Sequence, residues 1–327
     1  MNIETIAKIF EINHQDAFEK EAMAVFRYQY QHNEVYKQWC NLIGTDIKNI
    51  HHSTQIPFLP ISFFKTHTVT SGSFTPAIVF ESSKTTGMQS SQHFVKDIAV
   101  YEQSFMKAFE MFYGNIANWC VLGLLPSYLE RSNASLVYMV QKLIEQSNHA
   151  ESGFYLNEFD KLYHTLQQLE AKQQPTLLIG VTFALLDFAQ LYNMPLKHTT
   201  IMETGGMKGR REELTRQEVH TLLQQSFHSN NIHSEYGMTE LLSQAYAKKN
   251  GQFICPTWMK VFVRKEDDPL QIQPFGKGIL NIIDLANIHS CSFIATDDVG
   301  TIYEDSSFEV HGRIDNSDIR GCSLMVV

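Results

Sequence analysis

The sequence has few cysteines and no long apolar run, and both shortages limit what the chain can be. It contains no CxxC pair and only five cysteines in 327 residues: Cys40, Cys120, Cys255, Cys291 and Cys322. This spacing fits neither a disulfide framework nor a zinc ribbon, and we expect reduced thiols in a cytoplasmic protein. The apolar stretches are far shorter than the roughly 20 residues that span a bilayer, and the acidic N-terminus does not resemble a signal peptide.

An excess of positive charge is also missing. The net charge is -9, and the lysines and arginines are scattered singly, so the chain has no basic surface for a phosphate backbone. Nucleic-acid binding is therefore disfavoured. The 14 histidines lack a second ligand pair at metal-binding spacing, which favours structural or surface histidines over a metal site.

What the chain does have is an alternation of helix and strand patterns, which indicates an α/β fold of mixed sheets layered with helices. Apolar residues at helical spacing predict a helical cap over residues 1–50. Further helices are predicted at Ala99–Tyr113, Asn157–Gln173 and Arg211–Phe227. Strands are predicted at Ala77–Phe80, Trp119–Leu125, Thr176–Val181, Thr200–Glu203 and His233–Tyr236, and in a strand-rich C-terminal part at Trp258–Arg264, Gly278–Asp284 and Gly300–Tyr303.

The first chemical motif is ESSKTTGMQSS, which follows a predicted strand and is expected to precede a helix. Its backbone NH groups and hydroxyls are suited to wrapping a triphosphate. The ATP-binding candidates in it are Ser82, Ser83, Thr85, Thr86 and Gly87. Ser/Thr-rich turns are common, so an ordinary surface turn is the alternative for this string alone.

The second motif, HSEYGMTE, follows about 150 residues later. Tyr236, followed by Gly237, offers an aromatic plane suited to adenine, Thr239 a hydroxyl suited to the α-phosphate, and Glu240 a carboxylate suited to Mg²⁺. Taken alone, Tyr236 could be a half-buried core ring and Glu240 an acidic residue at a helix N-terminus.

Together these strings resemble the adenylate-forming superfamily of acyl-CoA synthetases, luciferases and peptide-synthetase adenylation domains. The resemblance adds Gly205 and Gly206 in a Glu-Thr-Gly-Gly turn beside adenine, Asp298 as the ribose-binding carboxylate, and Arg313 in a Gly-Arg-Ile-Asp hinge. It implies ATP and Mg²⁺ as cofactors, with Thr86 and Glu240 in catalytic roles.

Within that superfamily the chain most resembles the acyl-protein synthetases of bacterial luminescence operons. Four segments carry this resemblance: IPFLPISFFK, a Pro-Trp turn, TDDVG and the terminal GCSL. The resemblance implies that a carboxylic acid, expected to be a fatty acid, is activated to acyl-AMP and transferred to Cys322. A partner acyl reductase would then receive it. We expect an adenylation core over residues 1–311 and a hinge-like tail over 312–327 that carries Cys322.

Two departures qualify the expected activity. Lys84 stands where the phosphate loop of these families usually has glycine, and the mobile C-terminal domain of the wider superfamily, with its adenylation lysine, is not expected here. Lys84, Lys208 or Mg²⁺ would then have to balance the charge of pyrophosphate.

The residues around Cys322 support an acceptor role independently. A thiolate attacks an acyl phosphate readily, Gly321 allows a mobile approach, and Arg320 could lower the thiol pKa. An inert terminal cysteine is the alternative. The segments Val121–Leu125 and Leu177–Phe183 are candidates for an acyl pocket, although sheet core is favoured for most of them.

Two other functions stay open from the sequence. The first is an adenylating ligase that passes an acyl or aryl group to CoA or a carrier protein. The second is a catalytically reduced subunit that binds a partner.

Overall fold

The computed structural model describes residues 3–82, 89–125, 133–156, 158–205, 214–265 and 268–314. Its α-helices are α1 (Ile3–Ile9), α2 (Gln15–His32), α3 (Glu34–Leu42), α4 (Phe63–Thr66), α5 (Ile98–Tyr113), α6 (Ser135–Ser147), α7 (Phe159–Ala171), α8 (Thr182–Leu191) and α9 (Arg216–Phe227). Its strands are β1 (Leu59–Pro60), β2 (Ile78–Glu81), β3 (Gln92–Val95), β4 (Cys120–Leu124), β5 (Gly153–Phe154), β6 (Thr176–Val181), β7 (Thr199–Thr204), β8 (Ile232–Tyr236), β9 (Ala245–Ala247), β10 (Phe253–Ile254), β11 (Met259–Arg264), β12 (Ile272–Gln273), β13 (Gly276–Asp284), β14 (Phe293–Ile302) and β15 (Phe308–Arg313).

One large mixed sheet organises the chain. Its strand order is β12-β11-β13-β14-β15-β10-β9-β8-β7-β6-β4-β5, with β1 added parallel to β14. The half from β8 to β5 is parallel, and the C-terminal half is antiparallel. The mixed sheet and the strand-rich C-terminal part predicted from the sequence are both confirmed.

Three helices form the N-terminal layer that the pattern predicts. Asn33 separates α2 from α3 and caps α3, because its side chain accepts a hydrogen bond from the Tyr36 backbone N–H at 3.0 Å. The buried face of α2 carries Phe26, whose ring meets Phe293 of β14 edge-on with centroids 6.1 Å apart. This helical layer therefore packs against the C-terminal half of the sheet.

Several predicted boundaries need correction. The segment after the Ser/Thr-rich loop forms strand β3, paired antiparallel with β2, before helix α5 begins. Helix α9 begins at Arg216 rather than Arg211, because Thr215 and Glu218 form a reciprocal capping box there. The predicted strand Gly300–Tyr303 is the end of the longer β14, which pairs on both sides with β13 and β15.

Candidate active site

The Ser/Thr-rich loop begins and ends at a hairpin neck formed by β2 and β3. Ser82 Oγ accepts the Ser91 backbone N–H at 2.8 Å, and the Ser82 N–H donates to the Ser91 carbonyl at 3.1 Å. This double contact places the two ends of the loop side by side. Five predicted residues of the loop, Ser83, Lys84, Thr85, Thr86 and Gly87, lie outside the described residues, as do Gly206, Lys208 and Cys322.

The carboxyl ends of β7 and β8 form the second part of the site. The two strands are parallel neighbours, so Gly205 after β7 and Gly237 after β8 emerge at the same edge of the sheet, and both are exposed. Gly205 has φ +73°, a conformation that glycine adopts without strain, and its carbonyl accepts a hydrogen bond from Thr182 Oγ1 at 2.7 Å. In open α/β sheets, ligands bind outside this end of the strands.

Tyr236, Asp298 and Arg313 form a three-residue contact. The Tyr236 hydroxyl donates to Asp298 Oδ2 at 2.7 Å, and Arg313 Nε donates to Asp298 Oδ1 at 2.8 Å. Asp298 is 4% exposed, whereas the Arg313 side chain is 68% exposed. The ends of β8 and β15 thus meet at one buried carboxylate in the middle of β14.

The Tyr236 ring is more buried than a free stacking platform would be. It is 7% exposed, with Phe308 edge-on at 5.5 Å and Phe253 tilted at 5.7 Å between centroids. Burial and the Asp298 carboxylate raise the pKa of Tyr236 well above its ordinary value, so the hydroxyl remains a donor to Asp298. In this arrangement Tyr236 orients the carboxylate, and its stacking on adenine stays a prediction.

Glu240 is buried beside the hairpin neck. Its main-chain carbonyl accepts a hydrogen bond from Asn287 Nδ2 at 2.7 Å. Burial raises the pKa of Glu240, although Ser91 and the charges of Arg313 and Lys65 oppose the rise. A carboxylate desolvated in this way gains from a nearby cation, so the donor chemistry fits a hard divalent ion such as Mg²⁺.

Two buried carboxyl groups near Gly205 were missed by sequence reasoning. Glu203 Oε1 accepts from Arg216 Nε at 3.1 Å and lies 3.6 Å from His220 Nε2. Burial alone would raise the Glu203 pKa, but His220, Arg216 and Ser234 outweigh it and lower the pKa. Only tertiary packing brings α9 to this strand end, so no local signal in the sequence marks the network.

Glu235, the residue before Tyr236, is the second of these carboxyl groups. It accepts a hydrogen bond from the Thr204 hydroxyl, and a Cβ built on Gly237 would lie 2.5 Å from its Oε1. Burial, helped by the charge of Glu203 and opposed by Thr204, raises the pKa of Glu235 to about 7. A larger residue at Gly237 would therefore displace the Glu235 side chain.

The model of one protein family, described as "Acyl-protein synthetase, LuxE", matches residues 7–327. The chain belongs to this family. Its predicted identity as an ATP-dependent acyl ligase is confirmed at the level of the family. One relative, the long-chain-fatty-acid–luciferin-component ligase of Aliivibrio fischeri, is 26% identical over 339 residues, which cover 94% of this chain and 86% of the ligase.

Two solved structures share the fold of this LuxE family member. ATP-bound MatB from Rhodopseudomonas palustris is similar with a TM-score of 0.53 and 15% identity, over 72% of this chain and 47% of MatB. The long-chain-fatty-acid–CoA ligase FadD1 from Archaeoglobus fulgidus has a TM-score of 0.50 and 14% identity, over 73% and 52% of the two chains. The chain spans about half the length of these two proteins, and the fold predicted from the motifs is confirmed.

The described residues of this family member contain neither a membrane-spanning helix nor a cluster of metal ligands. Within the ranges given above, no helix is both long and apolar enough to cross a membrane. In that same part of the chain, no three or more His, Cys, Asp or Glu side chains are grouped so as to hold a metal ion.

The four described cysteines of this LuxE family member are poor nucleophiles. Burial raises the thiol pKa of Cys40 to about 12 and that of Cys120 to about 11. Burial also raises the thiol pKa of Cys255 and of Cys291. Because the thiolate is the reactive form, none of these four is suited to accept an acyl group at neutral pH.

Proposed function

We propose that this protein activates a fatty acid with ATP to an acyl-adenylate and then transfers the acyl group to its own Cys322. From Cys322 the acyl group passes to a partner acyl reductase. The observation that carries the proposal is the family match, which extends through the C-terminal residues that include Cys322. ATP use by the chain is supported by the fold shared with ATP-bound MatB.

The first step joins the acid to AMP. A carboxylate oxygen of the acid attacks the α-phosphorus of ATP, an acyl–phosphate anhydride bond forms, and pyrophosphate leaves. Asp298 would accept hydrogen bonds from the ribose hydroxyls, because its carboxylate is held in place by Tyr236 and Arg313 at the edge where Gly205 and Gly237 emerge.

Mg²⁺ fits the same site through Glu240. The buried carboxylate, with its raised pKa, would hold the ion together with ATP oxygens. When bound, the ion neutralises phosphate charge and stabilises the leaving pyrophosphate. Ser91, at the hairpin neck, favours the ionised form of Glu240 because it lowers the pKa of that carboxyl group.

The second step forms a thioester. The Cys322 sulfur attacks the acyl carbonyl carbon, the thiol proton is lost, and AMP leaves with its phosphate oxygen negative. The raised thiol pKa values of Cys40 and Cys120 favour a different acceptor, and Cys322 is the cysteine that the resemblance singles out.

A fatty acid is proposed as the substrate because the Aliivibrio fischeri relative is named for a long-chain fatty acid. A cytoplasmic location belongs to the same proposal and depends on the unpaired cysteines.

One experiment separates this function from its alternatives. The protein is incubated with ATP, Mg²⁺ and a panel of alkyne-tagged aliphatic and aryl acids, and the products are resolved on a denaturing gel and by chromatography. Tag on the protein chain supports the proposal. Soluble acyl-adenylate without labelled protein supports a ligase that uses CoA or a carrier, and no product at all supports a catalytically reduced, partner-binding subunit.

A further inference from the structure

The loop that carries Glu240 is held by buried side chains from other parts of the fold. After β8 the chain makes a tight turn, in which the Leu241 N–H donates to the Met238 carbonyl at 3.1 Å. A turn this short has few internal hydrogen bonds, so contacts from outside fix the direction of Glu240.

Two of these side chains lie at the end of β13 and in the turn after it. Asp284 accepts the backbone N–H groups of Leu242 at 2.8 Å and Ser243 at 3.0 Å, while Asn287 donates to the Glu240 carbonyl at 2.7 Å. Asp284 and Asn287 are fully buried. The C-terminal side of the loop is thereby fixed to the sheet.

The third of these side chains comes from the hairpin of the phosphate loop. His93 lies on β3, two residues after Ser91, and its Nδ1 is 2.8 Å from the Thr239 carbonyl oxygen. Since a carbonyl can only accept, Nδ1 must carry the proton. His93 is 1% exposed and its ring meets Phe64 edge-on at 5.9 Å, so it has little freedom to turn away.

The protonation state of His93 agrees with this donor role. Burial lowers the pKa of His93 to about 4, although the Thr239 carbonyl opposes the shift. The ring is therefore neutral at physiological pH, and a single Nδ1–H is available for Thr239. A neutral ring also adds no positive charge that would repel a divalent cation at Glu240.

We propose that His93 is a positioning residue that couples the hairpin of the phosphate loop to the Glu240 carboxylate. His93 of this hairpin contacts the carbonyl of Thr239, the residue directly before Glu240, and Ser91 of the same hairpin lowers the pKa of Glu240. Movement of the hairpin would therefore shift the carboxylate with it. This inference rests on the proposed role of Glu240 in adenylation.

The test uses two substitutions at the same position. His93→Leu removes the donor at similar volume, whereas in His93→Asn the side-chain Nδ2 takes the place of Nδ1. ATP–pyrophosphate exchange is measured over a Mg²⁺ titration. We expect His93→Leu to lower the exchange rate by roughly 10- to 100-fold and to raise the Mg²⁺ concentration needed for half-maximal rate. His93→Asn should recover most of the rate.

A second half-reaction supplies the control. Transfer from chemically synthesised acyl-adenylate to the protein bypasses Glu240, so both variants should transfer at the wild-type rate. Asn287→Leu, which frees the Glu240 carbonyl from the other side, should reproduce the Mg²⁺ shift even if His93→Leu fails to fold.

The outcomes separate this inference from the proposed function. Two results would overturn the positioning role alone. One is a rate of ATP–pyrophosphate exchange in His93→Leu equal to that of wild type. The other is a loss of exchange rate in His93→Asn as large as the loss in His93→Leu. A loss of transfer equal to the loss of exchange would also overturn it, because that pattern indicates general damage. A wild-type protein that shows no exchange would overturn the proposed function and this inference with it.

Discussion

Arg313 Nε lies 2.8 Å from Asp298 Oδ1, and this ion pair joins the last described strand to the carboxylate predicted to hold the ribose. The two residues face each other across the antiparallel pair β14 and β15. Asp298 raises the pKa of Arg313, so the guanidinium stays charged while the carboxylate has a partner. The segment predicted to be hinge-like, which starts at Gly312, thus contacts the carboxylate that is proposed to bind the ribose.

Asp298→Ala should weaken ATP binding more than it slows chemistry. A carboxylate that binds the ribose hydroxyls contributes to ground and transition states alike, so the KM for ATP should rise by roughly 10- to 100-fold with a small change in kcat. Tyr236→Phe is the matched control, because it removes only the donor to Asp298 and should raise KM less. An unchanged KM in Asp298→Ala would remove Asp298 from the ribose role.

Glu240→Gln should cripple adenylation without unfolding the protein. Loss of a metal ligand in a water-poor site should cost roughly 10² to 10³ in the rate of ATP–pyrophosphate exchange. Because burial raises the pKa of Glu240, the neutral amide should be tolerated there, and the melting temperature should not fall. Thr86→Ala is predicted to impair the same step. Full exchange activity in Glu240→Gln would exclude the metal role.

Glu235→Gln should change how stability depends on pH. The pKa of Glu235 is about 7 in the folded protein, above the ordinary 4.5. Its favourable contribution is therefore fully present below pH 4.5 and is lost as the pH rises through 7, a loss on the order of 3 kcal/mol. Glu235→Gln should be the more stable protein at about pH 8 and similar to wild type near pH 4.5. Equal melting temperatures throughout would contradict the raised pKa.

Arg216→Met should destabilise the fold through Glu203. Arg216 donates from Nε to the buried Glu203 carboxylate and from a terminal nitrogen to the Val310 carbonyl at 3.0 Å. Its removal leaves a buried charge without its partner, which should cost about 3 kcal/mol in the free energy of unfolding by urea. Adding Glu203→Gln should restore part of that loss. If Arg216→Met alone is as stable as wild type, the ion pair contributes little to the free energy of unfolding.

Much of the fold was predictable where local patterns agree with burial. Strand β6 begins and ends at the predicted residues, because Thr176–Val181 is a continuous apolar run in a parallel sheet. The apolar run continues into α8, however, and the switch at Thr182 was not predicted. Periodicity cannot distinguish a buried strand from a buried helix over so short a run.

Longer-range features of the sheet could not be predicted from local patterns. Strand β14 contains Asp297, Asp298 and Gly300, which disfavour a strand locally, yet it pairs with β13 along its length and with β15 from Asp298 to Ile302. The start of α9, by contrast, is a local feature: the capping box of Thr215 and Glu218 can be recognised in the sequence and predicts this start correctly.

The motifs named Tyr236, Asp298 and Arg313 as candidates, and the structure brings these three residues into contact although they are far apart in the sequence. Their roles at ATP stay predictions. The motifs did not indicate His93, Glu235 or Arg216. These residues act through contacts with the backbone or with buried carboxylates of distant segments, and such contacts leave no spacing pattern along the chain.

The central claim is that Cys322 accepts the acyl group, and one measurement tests it most directly. Wild-type protein and the variants Cys322→Ser and Cys255→Ser are incubated with ATP, Mg²⁺ and a tagged fatty acid, then denatured and split into samples with and without neutral hydroxylamine. We predict stable label on wild type and Cys255→Ser, release of that label by hydroxylamine, and no label on Cys322→Ser, which should still release pyrophosphate in one turnover. Full labelling of Cys322→Ser would contradict the account.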